Sequence, residues 1–68
     1  MVICIQNAGY EVSLEPRKFY EVLPDRDAAV HDQLRVIDES DEDYLYPASH
    51  FVAITLPTAL RRAVLAAG

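Results

Sequence analysis

The chain contains no tryptophan, one cysteine and two glycines, and each shortage narrows what it can be. Cys4 has no partner within a monomer, which excludes a disulfide-stapled secreted scaffold and fits a reducing cytosol. Cations are scarce as well, with six Lys and Arg against eleven Asp and Glu, a formal net charge of −5. Binding to DNA or RNA draws on counterion release by clustered cations. Here the cations are scattered apart from two pairs, so no nucleic-acid partner is expected. No run approaches the ~20 apolar residues of a membrane span, and no basic region precedes an apolar stretch at the amino terminus. The expectation is a cytoplasmic protein that does not engage a membrane.

Half of the composition is hydrophobic (51%) and a quarter is charged (25%), a globular balance across 68 residues. That length sets a limit of one domain. A core this small supplies only about 3–5 kcal/mol net, so an oligomer or a stable partner is a natural supplement.

The centre of the chain runs from Leu34 to Leu56, LRVIDESDEDYLYPASHFVAITL. LRVI and DYLYP are β-type runs flanking a polar turn, PASH is a compact corner, and FVAITL is a further apolar run. This predicts a hairpin continuing into another strand. Upstream, VICI at residues 2–5 is apolar on both parities and predicts a strand covered on both faces. Asn7, Ala8 and Gly9 predict a turn. From Tyr10 the chain alternates, with Tyr10, Val12 and Leu14 on one side and Glu11, Ser13 and Glu15 on the other, which predicts a half-buried strand. Pro16 ends it. KFYEVL at 18–23 predicts the next strand, and its pattern leaves open which parity is inside. DRDAAVHDQ at 25–33 is a polar connection with room for one helical turn.

The hairpin turn carries Asp38, Glu39, Asp41, Glu42 and Asp43, interrupted by Ser40. Adjacent like charges seek solvent or a cationic partner. Where a tight hairpin needs positive φ, Asp41 is the nearest candidate. Pro57 and Thr58 then open a helix over 57–67, with Leu60 and Val64 stacked at i, i+4 and Arg61 and Arg62 on the wet side. At about ten residues such a helix is marginal alone. It is expected to pack on the barrel, and it is also a route to a homodimer.

Ser49-His50-Phe51-Val52, followed by Ala53, resembles the S-N-Y-V signature near the end of Src-homology-3 domains. In those domains a one-turn corner separates the last two strands. Phe51 matches the groove-lining tyrosine, Val52 the core valine and His50 the asparagine; Pro47 sits one residue further away than that family's proline. The wider run YEVLPD…LRVIDESDEDYLYPASHFV is similar to a group of short, uncharacterised bacterial proteins with a Src-homology-3-like barrel. The resemblance implies an all-β, small antiparallel barrel of about five strands over 1–56, with a C-terminal helix over 57–67. Without tryptophan, it does not carry the family's grip on proline-rich peptides.

The chemistry of sites gives little. The acidic turn lacks the Asp-x-Asp-x-Asp-Gly spacing of a calcium loop, and Cys4, His31 and His50 lack zinc spacing. No metal, cofactor or catalytic set is assigned, and no enzyme activity is expected. Clustered aromatics are common interface hot spots, and Tyr44 and Tyr46 share a strand face near Phe51 and Tyr20. These four, with the Asp38–Asp43 acids at the rim, form the candidate partner surface. The competing reading, that one parity simply completes a tiny core, stays open. The leading function is a non-enzymatic interaction module, an acidic accessory or regulatory protein binding another protein with a basic surface. A small nucleic-acid-binding barrel and a small enzyme are the alternatives.

Overall fold

The computed structural model describes residues 1–67, a mainly β chain with five antiparallel strands. They are β1 (Val2–Cys4), β2 (Phe19–Leu23), β3 (Gln33–Ile37), β4 (Asp43–Pro47) and β5 (Phe51–Ala53). Two helices accompany them, α1 (Arg26–Val30) and α2 (Thr58–Ala67), and a single 3₁₀ turn spans Ala48–His50.

The strands lie in the order β4-β3-β2-β1-β5. Strand β2 gives the sheet its curl. Phe19 and Tyr20 pair with β1, through Ile3 and Val2, whereas Glu21, Val22 and Leu23 pair with Ile37, Val36 and Arg35 of β3. One strand thus passes from one partner to the other, and the sheet wraps into a half-barrel. Val2, Cys4, Leu14, Tyr20, Val36, Tyr46 and Phe51 fill the inside, with Tyr10, Val22 and Leu34 packed against them. The parity of residues 18–23 is settled: Tyr20 and Val22 face the core.

Local chemistry explains the connections. Asp25 caps α1, its side chain accepting from the Ala28 N–H at 3.0 Å. Asp32 leaves that helix with φ of 54°. In the β3–β4 turn, the Asp41 N–H reaches the Asp38 carbonyl at 3.0 Å and the Asp38 N–H reaches the Glu42 carbonyl at 3.1 Å. This is the three-residue hairpin whose last position must be left-handed, and Asp41 takes it at φ 64°.

Several expectations need correction. Residues 10–15 do not form a strand. The Tyr10 carbonyl accepts from the N–H groups of Ser13 and Leu14 at 3.1 and 2.9 Å, which closes a turn. Val12 points outward at 99% exposure while Leu14 is fully buried. The predicted Tyr10, Val12 and Leu14 face is therefore not formed; β1 is already paired on both sides, so no sheet edge beside it remains for a further strand. VICI is covered on both faces only as far as Cys4, and Ile5 is 54% exposed. The FVAITL strand stops at Ala53, after which the Ile54 N–H bonds the Met1 carbonyl at 2.9 Å.

The helix is placed where its sequence predicts, but it is seated differently. No residue of α2 is buried, Leu60 is 51% exposed, and Arg61 turns toward the barrel to meet Glu21 at 2.7 Å. Among the described residues, no helix is long and apolar enough to cross a membrane.

Candidate functional site

The aromatic and acidic residues divide into an inner and an outer set. Tyr20, Tyr46 and Phe51 are 4%, 3% and 7% exposed. These three side chains are core, and they do not form a partner surface. Their rings meet edge to face, Tyr46 to Phe51 at 6.2 Å and Tyr20 to Phe51 at 6.4 Å. The cause is the hairpin register. Leu34 lies opposite Tyr46 and Val36 opposite Tyr44, so the tyrosines share the inward parity of Leu34 and Val36. Tyr44 shares that parity but stands nearer the hairpin turn, where the core has ended, and is half exposed.

The buried tyrosines keep their hydroxyls satisfied through the acidic turn. Tyr46 donates to Asp38 Oδ2 at 2.5 Å and accepts from the Ser13 hydroxyl at 2.9 Å. Tyr20 donates to Glu39 Oε2 at 2.6 Å and accepts from the Glu15 N–H at 2.8 Å. Lys18 Nζ closes on Glu39 Oε1 at 2.7 Å, and the Glu39 N–H bonds the Ser13 carbonyl at 3.1 Å. Two phenols and two carboxylates therefore clamp the 13–18 segment to the hairpin.

Burial pushes the Asp38 carboxyl up, but the Ser40 hydroxyl, the Tyr46 hydroxyl and the Ser40 N–H together hold it below the ordinary carboxylate range. Glu39 is held low by Lys18 and then by Tyr20. The Tyr20 and Tyr46 phenols are pushed up, first by burial and then by these carboxylates. Asp38 and Glu39 are thus structural anchors and are spent within the chain.

The outer set remains available. Among the described residues, Asp41 and Glu42 make no ion pair, and Asp43 meets Arg35 at 3.0 Å. Tyr44 is 51% and Leu45 41% exposed. With Tyr10, Ser13, Asp38 and Tyr46 they line an open groove of about 310 Å³. The Tyr10 ring stands edge-on to Tyr46 at 5.0 Å and to His50 at 5.5 Å, walling the far side. Sequence reasoning missed Tyr10 and Leu45 as surface groups. The pairing that follows from a three-residue turn was the signal that would have found Leu45; Tyr10, in the irregular 10–15 segment, had no local signal.

The backbone of β4 adds a second feature. It ends the strand order, so among the described residues one of its sides has no strand partner. The Asp38–Glu42 bond marks that pair as hydrogen-bonded, and antiparallel pairs alternate. Tyr44 and Tyr46 thus bond inward to β3, leaving the backbone groups of Asp43 and Leu45 directed at the free edge.

Of the other reactive candidates, Cys4 is inert and His31 is occupied, whereas His50 keeps a buried Nδ1 without a hydrogen-bond partner among the described residues. Burial is the larger influence on the Cys4 thiol and pushes it up, away from a reactive thiolate, against a smaller lowering from a backbone hydrogen bond at Gln6. His31 ends α1, with Nδ1 2.9 Å from the Asp27 carbonyl, and His50 Nε2 lies 3.2 Å from the Ala8 carbonyl. Comparison with known protein families, with curated proteins and with solved structures finds no match.

Proposed function

We propose that this chain is a non-enzymatic interaction module, an acidic accessory protein whose β4 edge takes an extended, basic segment of another protein. The observation that carries the reading is the free β4 edge, bordered by Tyr44 and Leu45, by Asp41, and by Glu42, whose carboxylate makes no ion pair among the described residues but accepts from the Tyr44 hydroxyl at 2.9 Å. Added strands gain affinity from main-chain hydrogen bonds and selectivity from alternate side chains. Exposed carboxylates chiefly speed the encounter with a basic partner. The strand order, together with the 3₁₀ turn before β5, is compatible with a small barrel of the Src-homology-3-like kind, but the signature's residue roles are reversed here: Phe51 is core and Val52, the match to the core valine, is 48% exposed. A single buried cysteine supports a reducing, cytoplasmic setting.

The test uses lysine-rich, β-prone extended peptides titrated against the protein and read by amide NMR. Binding should shift the Asp43 and Leu45 amides most and slow their exchange with solvent. Tyr44→Ala should mainly speed dissociation. Neutralising Asp41 and Glu42 to Asn and Gln should mainly slow association and flatten its salt dependence. Shifts centred on β5 or on α2, with β4 silent, would move the site and defeat the proposal.

A further inference from the structure

Helix α2 is the least integrated part of the described chain. Ten residues do not hold a helix alone in water, so α2 needs a surface, and its own barrel supplies little. The contact consists of the Arg61–Glu21 pair and of Val64 and Leu65 set across an open groove of about 380 Å³. Lys18, Phe19, Glu21, Ile37 and Asp41 are on the groove's barrel side. Leu60 and Leu65 stay 51% and 39% exposed.

The tether accounts for this poor seating. Ile54 is still bonded to Met1, and the helix starts at Thr58. Thr55, Leu56 and Pro57 are therefore the whole link between the sheet and the helix, and they limit where the helix can reach. At about 100° per residue, Leu60, Val64, Arg61 and Leu65 fall within roughly 140° of one another, with Arg61 inside the stripe. A surface that covered the whole stripe would also have to offer Arg61 a carboxylate.

We propose that this surface is the same groove on a second copy of the chain, each helix seating beside Glu21 of the other in a closed two-fold pair. Released from its tether geometry, the helix places Leu60, Val64 and Leu65 in the groove and remakes the Arg61–Glu21 pair between copies. Charge complementarity selects this occupant. Helix α2 carries Arg61 and Arg62 and no acid, whereas the groove holds Glu21, Asp38, Glu39 and Asp41 against one cation among the described residues, Lys18, which is already paired with Glu39. The inference does not depend on what binds at β4.

Two charge reversals test it, Glu21→Arg and Arg61→Glu, read by sedimentation equilibrium from about micromolar to about millimolar chain. The 7.6 kDa wild type should double in mass as concentration rises. Each variant alone should dimerise at least about tenfold more weakly, because it sets like charges against each other. An equimolar mixture should dimerise again, since in unlike pairs Arg61 meets Glu21 and the introduced Glu meets the introduced Arg. Only a contact between copies gives that rescue. Leu60→Ala, at a half-exposed position that leaves the monomer folded, should weaken dimerisation about tenfold. It decides the matter if either charge variant proves unfolded by circular dichroism. A wild type that stays monomeric throughout, a mixture that stays monomeric while the wild type dimerises, or a Leu60→Ala variant that dimerises like wild type would each overturn the proposal.

Discussion

The 10–18 segment and helix α2 both lie outside the sheet, and they are attached to it in opposite ways. The first has no regular structure yet is fixed at many points. Leu14 is fully buried, Ser13 and Glu15 bond to the buried tyrosine hydroxyls, and Lys18 pairs with Glu39. The second is a regular helix with none of its residues buried. Regularity and integration are separate properties here. A segment becomes part of the cooperative unit through what it buries and which polar groups it satisfies, not through its own backbone pattern.

The contrast is broken most forcefully at Leu14. Leu14→Ala leaves a cavity in a core of a few side chains, and such truncations cost about 2–5 kcal/mol. For 68 residues the whole stability is on the order of 3–10 kcal/mol, so this variant should be barely folded. Urea titration followed by circular dichroism gives the answer. A midpoint within error of the parent would mean that the segment is not anchored where it is described.

A smaller and more specific effect is expected at the polar clamp. Tyr46→Phe keeps the ring and removes the hydroxyl that donates to Asp38, a bond to a charged group worth about 1.5–3 kcal/mol. The sign of its pH dependence follows from Asp38. Its folded pKa lies below the ordinary 3.8 of the free group, so its stabilisation is fully present above about pH 4 and is lost as pH falls through the folded value. The penalty for Tyr46→Phe should therefore be largest near neutrality and shrink in acid as Asp38 protonates. Denaturant curves of parent and variant at about pH 7 and about pH 2.5 make the comparison. A penalty that stays equal as the series is carried to still lower pH, through the protonation of Asp38, would show that the bond is not charge-assisted.

What could be read from the sequence follows the same division. The strands at 18–23 and 34–47, the 3₁₀ corner and the left-handed Asp41 were all legible, because pairing runs and turn chemistry are local signals. The helix bounds were legible too, from Pro57, Thr58 and good helix formers. Residues 10–15 do not follow their pattern because alternation defines a shared face only in a strand, and it cannot say whether a neighbouring strand is free to pair; in the turn that forms, Val12 and Leu14 part company. The fate of the tyrosines was equally non-local. Tyr44 and Tyr46 are alike in sequence, and only the position of each along the hairpin decides that one is wall and the other core. The acidic turn looked like a single patch. Asp38 and Glu39 left it because two buried phenols, distant in sequence for Tyr20, needed acceptors.

The smallest effect should come from the most drastic chemistry. Leu60→Asp exchanges a large apolar side chain for a charge, and a helix face packed on the barrel would make that cost several kcal/mol. Leu60 is instead half exposed, so little apolar area is lost and the new carboxylate stays hydrated. It also sits in the first turn of α2, where a negative charge is favourable by about 0.3–1 kcal/mol and offsets the weaker helix propensity of Asp. At low micromolar concentration the variant should unfold within about 0.5 kcal/mol of the parent. The same substitution should be felt strongly once copies associate, because it places a carboxylate in a groove that already contains Glu21 and Asp41. Stability near that of the parent in dilute solution, combined with lost self-association in concentrated solution, is the expected pair of results. A loss of several kcal/mol in the dilute monomer would show that the helix is as integrated as the 10–18 segment, and the contrast between the two would disappear.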